Sequence, residues 1–575
     1  MSPLYPESVR HMSLSDPVPS VRTRPLGYAP ILQCYMERCQ LISLIDRHVP
    51  CDPRRTVLTH GEACVALIAG IFHQVFQLYA IQKFATVTDI LQVILPHIPS
   101  DAYFDDRLGD TLDALYTAGL GDLEVILTRH MLEEFGITVT SAHSDTTTAS
   151  VYGAYAGQSS QNDGISLTFG YSKKHRADLK QLVWSLSVSS DSAFPLFQQA
   201  YDGNTADVDT YLEQWQHLID LLGHRDFLFV ADSKLLSKDN MVFLQTHDGR
   251  FLAPVPMYAS YNTLFEEALN SHPVETLLPY KQRLNRGFEV PCSITHGDET
   301  YEFRFLIFYD AGLFARRNQS LTQRLERTTA ALEALRGKLN RYQLKTRDTI
   351  DAACAAILKT YQTAEFFSVT VTNTPQTTYK YAKPGRPAPG DERLEILTAH
   401  FDLMVSQDDQ AIEDARSRCG YYALMTNVPQ EELSLADAMR EQKEQYKSEH
   451  TNRRAKSAYA LEPICLQTPT RIEAFLFLFK IVLQLLVLME RTARTNIAER
   501  DRGLDHFLPN RNDVRNPTAE AILKEFQYLT VGTVSLPDGS SWNFVSELTA
   551  LQRDLLELLE VPIDRFTVKA LFHSG

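Results

Sequence analysis

Two aspartates stand where predicted β-strands end, and a carboxylate in that position can bind a metal ion or cap a turn. Asp145 ends ITVTSAHSD, residues 137–145, in which small, β-branched and polar residues alternate. Asp232 lies in FLFVADS, residues 227–233, after an apolar run that is typical of a buried central strand. A single aspartate at a strand end is most often a turn or capping residue. Two of them on neighbouring strands would instead bring two carboxylates together.

Paired carboxylates are typical of phosphoryl-transfer sites that use metal ions. Two facing carboxylates repel each other unless a cation lies between them. Hard divalent cations such as Mg²⁺ prefer carboxylate oxygens and keep water molecules for a substrate. Two such ions about 3.5–4 Å apart activate a nucleophilic oxygen and stabilise the leaving oxygen of a phosphodiester. Asp145 and Asp232 therefore predict a site for two Mg²⁺ ions, with Mn²⁺ as a substitute.

A third carboxylate for such a site is expected on a helix later in the chain. The polar segment EQKEQYKSEHTNRRAKSAYALEPICL, residues 441–466, contains Glu449, Arg453 and Lys456 at positions i, i+4 and i+7, which share one face of a helix. Glu449 would complete the metal site, and the two cations are suited to DNA phosphates. The bland alternative is a solvated helix surface. Other candidates for the third carboxylate are Glu441, Glu444 and Glu462.

The patterns around the aspartates predict an α/β fold with a ribonuclease H-like core. In that arrangement three antiparallel strands are followed by a helical crossover to a buried strand. The predicted elements are strands at 137–145, 165–173 and 181–191, a helix at 207–223, a strand at 227–233, a short helix at 238–247 and a strand at 250–257. Asp207 or Asp209 is the predicted N-cap of the 207–223 helix, and Gly223 is its predicted stop.

Changes in the hydrophobic period divide the rest of the chain. The predicted organisation is a flexible tail at 1–27, a helical N-terminal domain at 28–136, the core at 137–257 and 420–500, a mixed α+β insertion at 258–419 and a helical C-terminal region at 501–575. The insertion contains one long predicted helix at about 315–360. The second part of the core contains a predicted strand at 420–427 and a polar helix at about 430–457.

One apolar segment is nearly long enough to cross a membrane. IEAFLFLFKIVLQLLVLMERTAR, residues 472–494, has Lys480 and Gln484 near its middle, where a charge is costly in lipid. A buried core helix at about 470–497 is therefore favoured over a membrane span. The N-terminus lacks the apolar core of a signal peptide, and the eight cysteines have no zinc-binding spacing. These features favour a cytoplasmic protein.

A basic segment lies close to the predicted site. SKKHRADLK, residues 172–180, contains Lys173, Lys174, Arg176 and Lys180 against a single acid. It is either a solvated loop between strands or a contact with DNA phosphates. The whole chain has a net charge of −15, so attraction to nucleic acid must come from local patches of this kind.

Two further basic segments fall in the predicted insertion. Residues 315–347 contain nine Lys or Arg residues and two acids, which indicates a solvated helix, a contact with the DNA backbone or a coiled-coil dimer surface. KPGRP, residues 383–387, is either a plain turn or a hook through which Arg386 enters a minor groove.

Taken together, these motifs resemble the DDE transposases of bacterial insertion sequences, in the cut-and-paste branch with a large insertion before the glutamate. The matching segments are HSDTTT (143–148), GYSKKHRADLKQLV (170–183), YDGNTADVDT (201–210), VADSKLLS (230–237) and the region after Glu449. Six residues separate Glu449 from Lys456, and AYALEPICLQTPTRIEAFLFL follows as in the family. The chain departs from the family at Gln442 and Gln445, where tyrosine and arginine are common.

The resemblance covers most of the chain and implies a Mg²⁺-dependent DNA transposase. Asp145, Asp232 and Glu449 would be the catalytic, metal-binding triad, with Lys456 as the partner of the glutamate. The implied DNA-binding residues are Lys173, Lys174, Arg176, Lys180, Arg386, Arg453 and Lys456. The DNA partners would be the terminal inverted repeats of the element, bound with help from the N-terminal domain, and target DNA, with a homodimer holding two ends.

Two alternatives to an active transposase stay open. The first is a catalytically impaired or domesticated DNA-binding protein derived from a transposase, which the altered residues before Glu449 suggest. The second is a stand-alone ribonuclease H-like nuclease, which would cut DNA without preference for element ends and without joining.

Overall fold

The computed structural model describes residues 19–52, 56–151, 164–170, 178–256, 258–271, 273–280, 283–381, 393–457, 464 and 466–572. The chain divides into two compact units. Unit 1 consists of residues 1–253, 294–301 and 441–575, and unit 2 consists of residues 254–293 and 302–440. The predicted mixed α/β class is confirmed, because unit 1 combines a mixed sheet with many helices.

Unit 1 begins with one strand and a group of seven helices. The elements are β1 (Ser20–Pro25), α1 (Ala29–Arg38), α2 (Leu41–His48), α3 (His60–Phe72), α4 (Leu78–Val87), α5 (Ile90–Ile94), α6 (Asp105–Ala118) and α7 (Leu120–Glu134). Helix α3 starts at a capping box, in which Thr59 and Glu62 each bond the other's backbone N–H. The prediction of a flexible tail at 1–27 is wrong for residues 20–25. These residues form β1, which pairs antiparallel with residues 530–535 near the other end of the chain.

The sheet of unit 1 follows the helices. Its elements and the helices between them are β2 (Ser141–Val151), β3 (Lys180–Ser189), β4 (Pro195–Tyr201), α8 (Tyr211–Leu222), β5 (Leu228–Val230), α9 (Lys238–Thr246) and β6 (Arg250–Pro254). The strand order is β4-β3-β2-β5-β6. Strands β4, β3 and β2 are antiparallel neighbours, whereas β5 runs parallel to both β2 and β6.

Two sequence predictions in this region need correction, and one strand was not predicted. The predicted strand at 165–173 is reduced, within the described residues, to one bridge between Thr168 and Gln181, and the third antiparallel strand is β4, which the sequence reading missed. The N-cap of α8 is Thr210 rather than Asp207 or Asp209, because a turn of 3-10 helix at 207–209 precedes α8. The predicted stop is confirmed, since Gly223 ends α8 with φ of 76°.

Unit 2 contains strands of its own and a separate apolar core. Its elements are α10 (Ala259–Asn270), β7 (Thr276–Tyr280), β8 (Arg283–His296), β9 (Glu299–Tyr309), α11 (Ala311–Arg336), α12 (Arg347–Tyr361), β10 (Phe367–Asn373), β11 (Gln376–Tyr381), β12 (Arg393–Thr398), β13 (Phe401–Gln407), α13 (Asp409–Arg418), β14 (Tyr421–Thr426) and α14 (Leu435–Glu444). The end of β8, the start of β9 and the end of α14 belong to unit 1. Strands β14, β9, β8 and β7 are neighbours in that order, and β10 pairs with β13 and β11 with β12.

The long helix predicted at 315–360 is two helices. Helix α11 ends at Arg336, and Asn340 and Tyr342 then take positive φ values of 62° and 49° before α12 begins. The turn brings α12 back onto α11, so that Leu325 of α11 and Ile350 of α12 belong to one buried cluster. Periodicity alone did not reveal this break because both helices carry the same 3.6-residue pattern.

The chain then returns to unit 1, where its last described helices and the strands β15 and β16 lie. The elements are α15 (Tyr446–Ser457), α16 (Pro469–Glu499), α17 (Ala519–Phe526), β15 (Thr530–Ser535), β16 (Ser541–Val545), α18 (Ala550–Leu558) and α19 (Val568–Phe572). The predicted polar helix at 430–457 is therefore divided into α14 and α15. The C-terminal region is also not wholly helical, because β15 pairs with both β1 and β16.

Helix α16 contains the apolar segment for which the sequence also allowed a membrane span. It is long and apolar enough to span a bilayer, but 94% of its apolar window is buried inside the protein, which confirms the expected core helix and is consistent with a soluble protein. Lys480 is buried with its Nζ 2.9 Å from Glu124 of α7 and 2.7 Å from the Thr128 hydroxyl. This pairing makes a charge tolerable in the core.

Candidate metal-binding site

Asp145 and Asp232 occupy equivalent positions on neighbouring parallel strands. His143 of β2 lies opposite Val230, the last residue of β5, and each aspartate follows two residues later. The backbone at Asp232 is still extended, with φ of −76° and ψ of 177°, so the alternation of side chains continues through it. Because parallel strands are about 4.8 Å apart, the register brings the two carboxylates to one face of the sheet at one edge.

The prediction that β2 ends at Asp145 is wrong. Strand β2 continues for six more residues to Val151, because it stays paired with β3 until Val151 lies opposite Lys180. Only the β5 neighbour ends near Asp145. The aspartate therefore lies where β2 loses its parallel partner rather than where β2 itself stops, which leaves the carboxylate partly exposed in an otherwise buried strand.

Helix α15 lies along the face of β2 that carries Asp145. The Asn452 amide Nδ2 donates a hydrogen bond to Asp145 Oδ2 at 2.9 Å. One helical turn later, Lys456 Nζ donates to the Thr147 hydroxyl and to the Thr148 carbonyl oxygen, the latter at 2.6 Å. Four helical residues rise about 6 Å and two strand residues about 6.7 Å. The two elements therefore run in step from Asp145 to Thr147, where two successive residues on one face of β2 each contact α15.

Asp232 is held by bonds to only one of its two carboxylate oxygens. The Tyr211 hydroxyl at the start of α8 donates to Oδ1 at 2.6 Å, and the Lys234 backbone N–H donates to the same atom at 2.9 Å. Within the part of the chain that the structure describes, Oδ2 accepts no hydrogen bond. The Tyr211 and Lys234 contacts fix the carboxylate, so that Oδ2 remains as a ligand atom.

Glu449, the predicted third ligand, is exposed on the first turn of α15. It makes no hydrogen bond or ion pair with any residue in the described ranges. Across those ranges no three His, Cys, Asp or Glu side chains are close enough together to hold a metal ion. The structure therefore brings the two aspartates to one edge but does not bring Glu449 to them, although its helical stripe is that of Asn452 and Lys456.

Glu441, an alternative third ligand, is occupied elsewhere. Its Oε2 accepts hydrogen bonds from the Ser141 hydroxyl at 2.7 Å and from His143 Nε2 at 3.1 Å. Burial acts to raise the pKa of Glu441, but the bonds from His143 and Ser141 outweigh it and lower that pKa overall. Glu441 thus anchors the end of α14 to β2. Glu444 pairs with Lys447 at 2.9 Å, and Glu462 lies outside the described residues.

The predicted DNA-binding residues are only partly covered by the structure. Arg453 is exposed on α15 beside Asn452, and Lys180 begins β3 with partial exposure. Four of the seven, Lys173, Lys174, Arg176 and Arg386, lie outside the described residues. Of the predicted DNA-binding residues, Lys456 is the one that contacts β2 close to Asp145, through Thr147 and Thr148.

The oxygen donors at this edge suit a hard divalent cation. Asp145 and Asp232 offer carboxylate oxygens, and the Asn452 amide lies against the first of them. The Asn452 Oδ1 atom is buried and has no hydrogen-bond partner in the described structure, which leaves one polar atom at the site unsatisfied. Carboxylate and amide oxygens are the ligand types that Mg²⁺ and Mn²⁺ prefer, so the residues present fit the predicted ion.

The sequence reading missed three residues that build this site. Tyr211 holds Asp232, Asn452 holds Asp145, and Arg454 ties α15 to the core through Glu490 and Glu520. Only Asn452 had a signal in the sequence, because it lies three residues after Glu449 and four before Lys456 and therefore on the same helical face.

Comparison with known proteins identifies one domain. Residues 21–127 match the family described as Domain of unknown function (DUF4277), a domain that is found in transposase-like proteins. The matched region runs from β1 into α7. No curated protein matches the chain.

Proposed function

We propose that the protein is a Mg²⁺-dependent DNA transposase of the DDE type. The observation that supports this proposal is the register of β2 and β5, in which His143 pairs with Val230, two residues before Asp145 and Asp232, while the basic helix α15 hydrogen-bonds Asp145. The strand order β4-β3-β2-β5-β6, antiparallel and then parallel, is the order expected of a ribonuclease H-like core. The DUF4277 match adds support from the N-terminal region.

The proposed reaction is two in-line displacements at phosphorus. Water first attacks a phosphodiester at the element end, the bond from phosphorus to the 3′ oxygen breaks, and a 3′-OH and a 5′-phosphate result. The freed 3′-OH then attacks a phosphodiester of target DNA and displaces its 3′ oxygen. Bound divalent ions would supply activation of the attacking oxygen and stabilisation of the leaving oxygen.

The chain's own side chains would hold the reacting groups. Asp145 Oδ2 and Asp232 Oδ2 would bind the ions, and Glu449 would join them by turning its exposed side chain toward the sheet. Lys456, fixed on β2 by Thr147 and Thr148, supplies a positive charge near the scissile phosphate. Arg453 reaches outward and would bind a neighbouring phosphate. Two element ends must be joined in one event, so the active form would be a homodimer.

Substitution of Asp232 tests the proposal directly. Asp232→Asn removes the charge that binds the ion but keeps an acceptor for the Tyr211 hydroxyl. We expect cleavage and strand transfer to fall at least 1,000-fold, because such sites depend on every charged ligand. The assay uses labelled DNA from the borders of the coding sequence with Mg²⁺. Binding of that DNA in a gel-shift assay should change less than about threefold, since base and phosphate contacts lie elsewhere.

Asp239→Asn is the matched control, because Asp239 is an exposed acid in the first turn of α9, seven residues from Asp232. It should cleave like the unaltered protein. Cleavage by Asp232→Asn at the rate of Asp239→Asn would overturn the assignment of the site. Cutting of unrelated DNA without joining would favour the stand-alone nuclease.

A second function, a transposase-derived DNA-binding protein without catalysis, is favoured by one observation. Glu449 is exposed and no three-carboxylate cluster forms among the described residues. The same assay separates the two functions. Binding of the border DNA by the unaltered protein, with no nicking in Mg²⁺ or Mn²⁺, would establish the second function in place of the first.

A further inference from the structure

Asn452 of α15 hydrogen-bonds Asp145, the first of the two aspartates. Its side chain is 5% exposed, and its amide Nδ2 lies 2.9 Å from Asp145 Oδ2. It is flanked on the buried side of the helix by Thr451 and Ala455, which are also buried. The position is therefore fixed by packing, and the amide cannot swing away into solvent as Glu449 can.

The amide of Asn452 is only half satisfied. Its Nδ2 donates to Asp145, but Oδ1 is buried and accepts no hydrogen bond from the described residues. A buried amide oxygen without a partner loses its interaction with water and gains no replacement. Four other amide oxygens of the described residues are in the same state, those of Gln214, Asn318, Gln442 and Gln484. Asn452 is singled out by position, because the same amide donates to Asp145.

The distance between the two side chains matches the spacing of neighbouring ligands around a small cation. Two oxygens at right angles around Mg²⁺, each about 2.0–2.1 Å from it, are about 2.9 Å apart. The amide oxygen and nitrogen of asparagine have nearly the same shape and exchange places by a half-turn of the amide. That half-turn would set Oδ1 at 2.9 Å from Asp145 Oδ2, the distance now spanned by Nδ2.

We propose that Asn452 is an oxygen ligand of the cation at this site, next to Asp145, and that the amide turns over when the cation binds. This inference rests on the proposed function for the presence of the cation. In the absence of a cation, the same amide donates to Asp145 and holds the carboxylate in place. With a cation, Asn452 joins the two aspartates as a donor that needs no rearrangement of the backbone.

A cysteine at position 452 gives a direct readout of ligation. Thiolates bind Cd²⁺ in preference to Mg²⁺ or Mn²⁺, and a sulfur-to-cadmium bond produces an ultraviolet charge-transfer band. In Asn452→Cys, Cd²⁺ should produce this band with one ion bound per chain, above the background of the native cysteines. The band should disappear when Asp145→Ala is added. His450→Cys, an exposed position on the same helix, should show no such band.

Binding of Mn²⁺ alone, measured from the loss of the free-ion paramagnetic resonance signal, separates this inference from the proposed function. Asn452→Ala should weaken Mn²⁺ binding at least tenfold, whereas Asn452→Asp should retain it. Thermal unfolding without metal confirms that each variant is folded.

One outcome would overturn the role of Asn452 alone: Asn452→Ala binds Mn²⁺ like the unaltered protein, and Asn452→Cys shows no band. The proposed metal site still stands in that case if Asp145→Ala abolishes the binding of Mn²⁺. If the unaltered protein does not bind Mn²⁺ at all, both the metal site and the role of Asn452 fail.

Discussion

At the scale of single residues, Glu473 is a carboxyl group whose burial makes stability depend on pH. Its side chain is 9% exposed near the start of α16, and burial raises its pKa to about 7. Two weaker influences act on the pKa. Its Oε1 accepts a hydrogen bond from the Ile165 backbone N–H at 2.9 Å, which lowers it, and the charge of Asp202 raises it. The carboxyl is therefore ionised with difficulty in the folded protein.

Glu473→Gln should stabilise the protein in a pH-dependent way. Below pH 4.5 the carboxyl is protonated in both states, and from there up to about pH 7 only the unfolded chain releases its proton. The native chain thus loses up to about 3 kcal/mol of stability as the pH rises. Glutamine keeps an acceptor for Ile165 but cannot ionise. Urea unfolding should show a gain of about 2–3 kcal/mol at pH 8 and under about 1 kcal/mol at pH 5.

The control for this prediction is Glu499→Gln, an exposed acid at the other end of the same helix. It should leave the free energy of unfolding nearly unchanged at both pH values. An equal gain for Glu473→Gln at pH 5 and pH 8 would show that the carboxyl is not the titrating group.

The sequence could identify some residues of the site and not others for a physical reason. Asp145 and Asp232 each follow a strand-like pattern that is visible in the sequence. The parallel pairing of β2 with β5, which relates the two positions, belongs to a common topology. Asn452 has a weaker signal, the helical face that it shares with Glu449 and Lys456, because an asparagine among charged residues of a polar helix looks like a solvated residue. Its contact with Asp145 depends on how α15 packs on β2, some three hundred positions earlier in the chain.

At the scale of elements, α15 is held in place by a buried arginine. The Arg454 guanidinium donates to Glu490 of α16 at 2.7 Å and to both carboxylate oxygens of Glu520 of α17, at 2.5 and 2.7 Å. Arg454 and Glu490 are each less than a tenth exposed. A helix as polar as α15 buries little apolar surface, so this network replaces hydrophobic packing as the force that fixes its position on β2.

Loss of Arg454 should therefore loosen the site as well as the fold. Arg454→Ala leaves the buried Glu490 with Arg494 and the Ala519 backbone N–H as its remaining partners. It should cost about 3 kcal/mol of unfolding free energy, the lower end of the range for a broken buried ion pair. Arg454→Lys should recover only part of that cost, because an ammonium group cannot bond two carboxylates in the same forked geometry. Chemical denaturation measures both effects. Arg453→Ala, which changes the exposed neighbour, should cost less than about 0.5 kcal/mol.

Binding of Mn²⁺ by Arg454→Lys, under conditions where it is fully folded, checks whether the network positions the site. Weaker binding than in the unaltered protein supports this role. Unchanged binding would limit Arg454 to stability alone.

Helices and strands could be predicted where a local sequence pattern determines them. They could not be predicted where pairing with a distant segment determines them. The amphipathic pattern predicted α8, and the apolar length predicted α16. Residues 165–173 alternate like a strand, yet in the described part only Thr168 pairs, because β4 takes the place beside β3. Likewise β1 and β15 are short and partly exposed, and their pairing joins residues about 510 positions apart, so neither had a local signal strong enough to predict it.

At the scale of the whole molecule, a large part of unit 2 is inserted into a single hairpin. Strand β9 ends at Tyr309 and β14 begins at Tyr421, and these two residues are partners in the antiparallel ladder. The Asp310 N–H donates to the Gly420 carbonyl oxygen at 2.9 Å, which continues the ladder by one step. The chain between them, residues 311–419, therefore leaves and re-enters the sheet at adjacent points.

This inserted segment has a core of its own. Its helices α11 and α12 and its strands β10 and β13 bury a cluster that includes Leu325, Ile350 and Phe366. The segment also carries the basic stretch 315–347, nine cations against two acids in a chain of net charge −15. A region with a separate core and two adjacent attachment points resembles an independent domain in both respects.

Replacement of residues 311–419 by Asn-Gly should leave a folded protein. Two residues in a type I′ turn are the preferred link between paired antiparallel strands, and Asp310 and Gly420 already stand at the required separation. No apolar surface of the inserted core remains behind, because that core is removed whole. We expect a soluble protein with a cooperative thermal transition within about 5 °C of the original, measured by circular dichroism.

Deletion of α12 alone should instead expose Leu325 and its neighbours and cause aggregation. Aggregation of the whole-segment deletion, with the α12 deletion remaining soluble, would show that the inserted core and the sheet fold as one body.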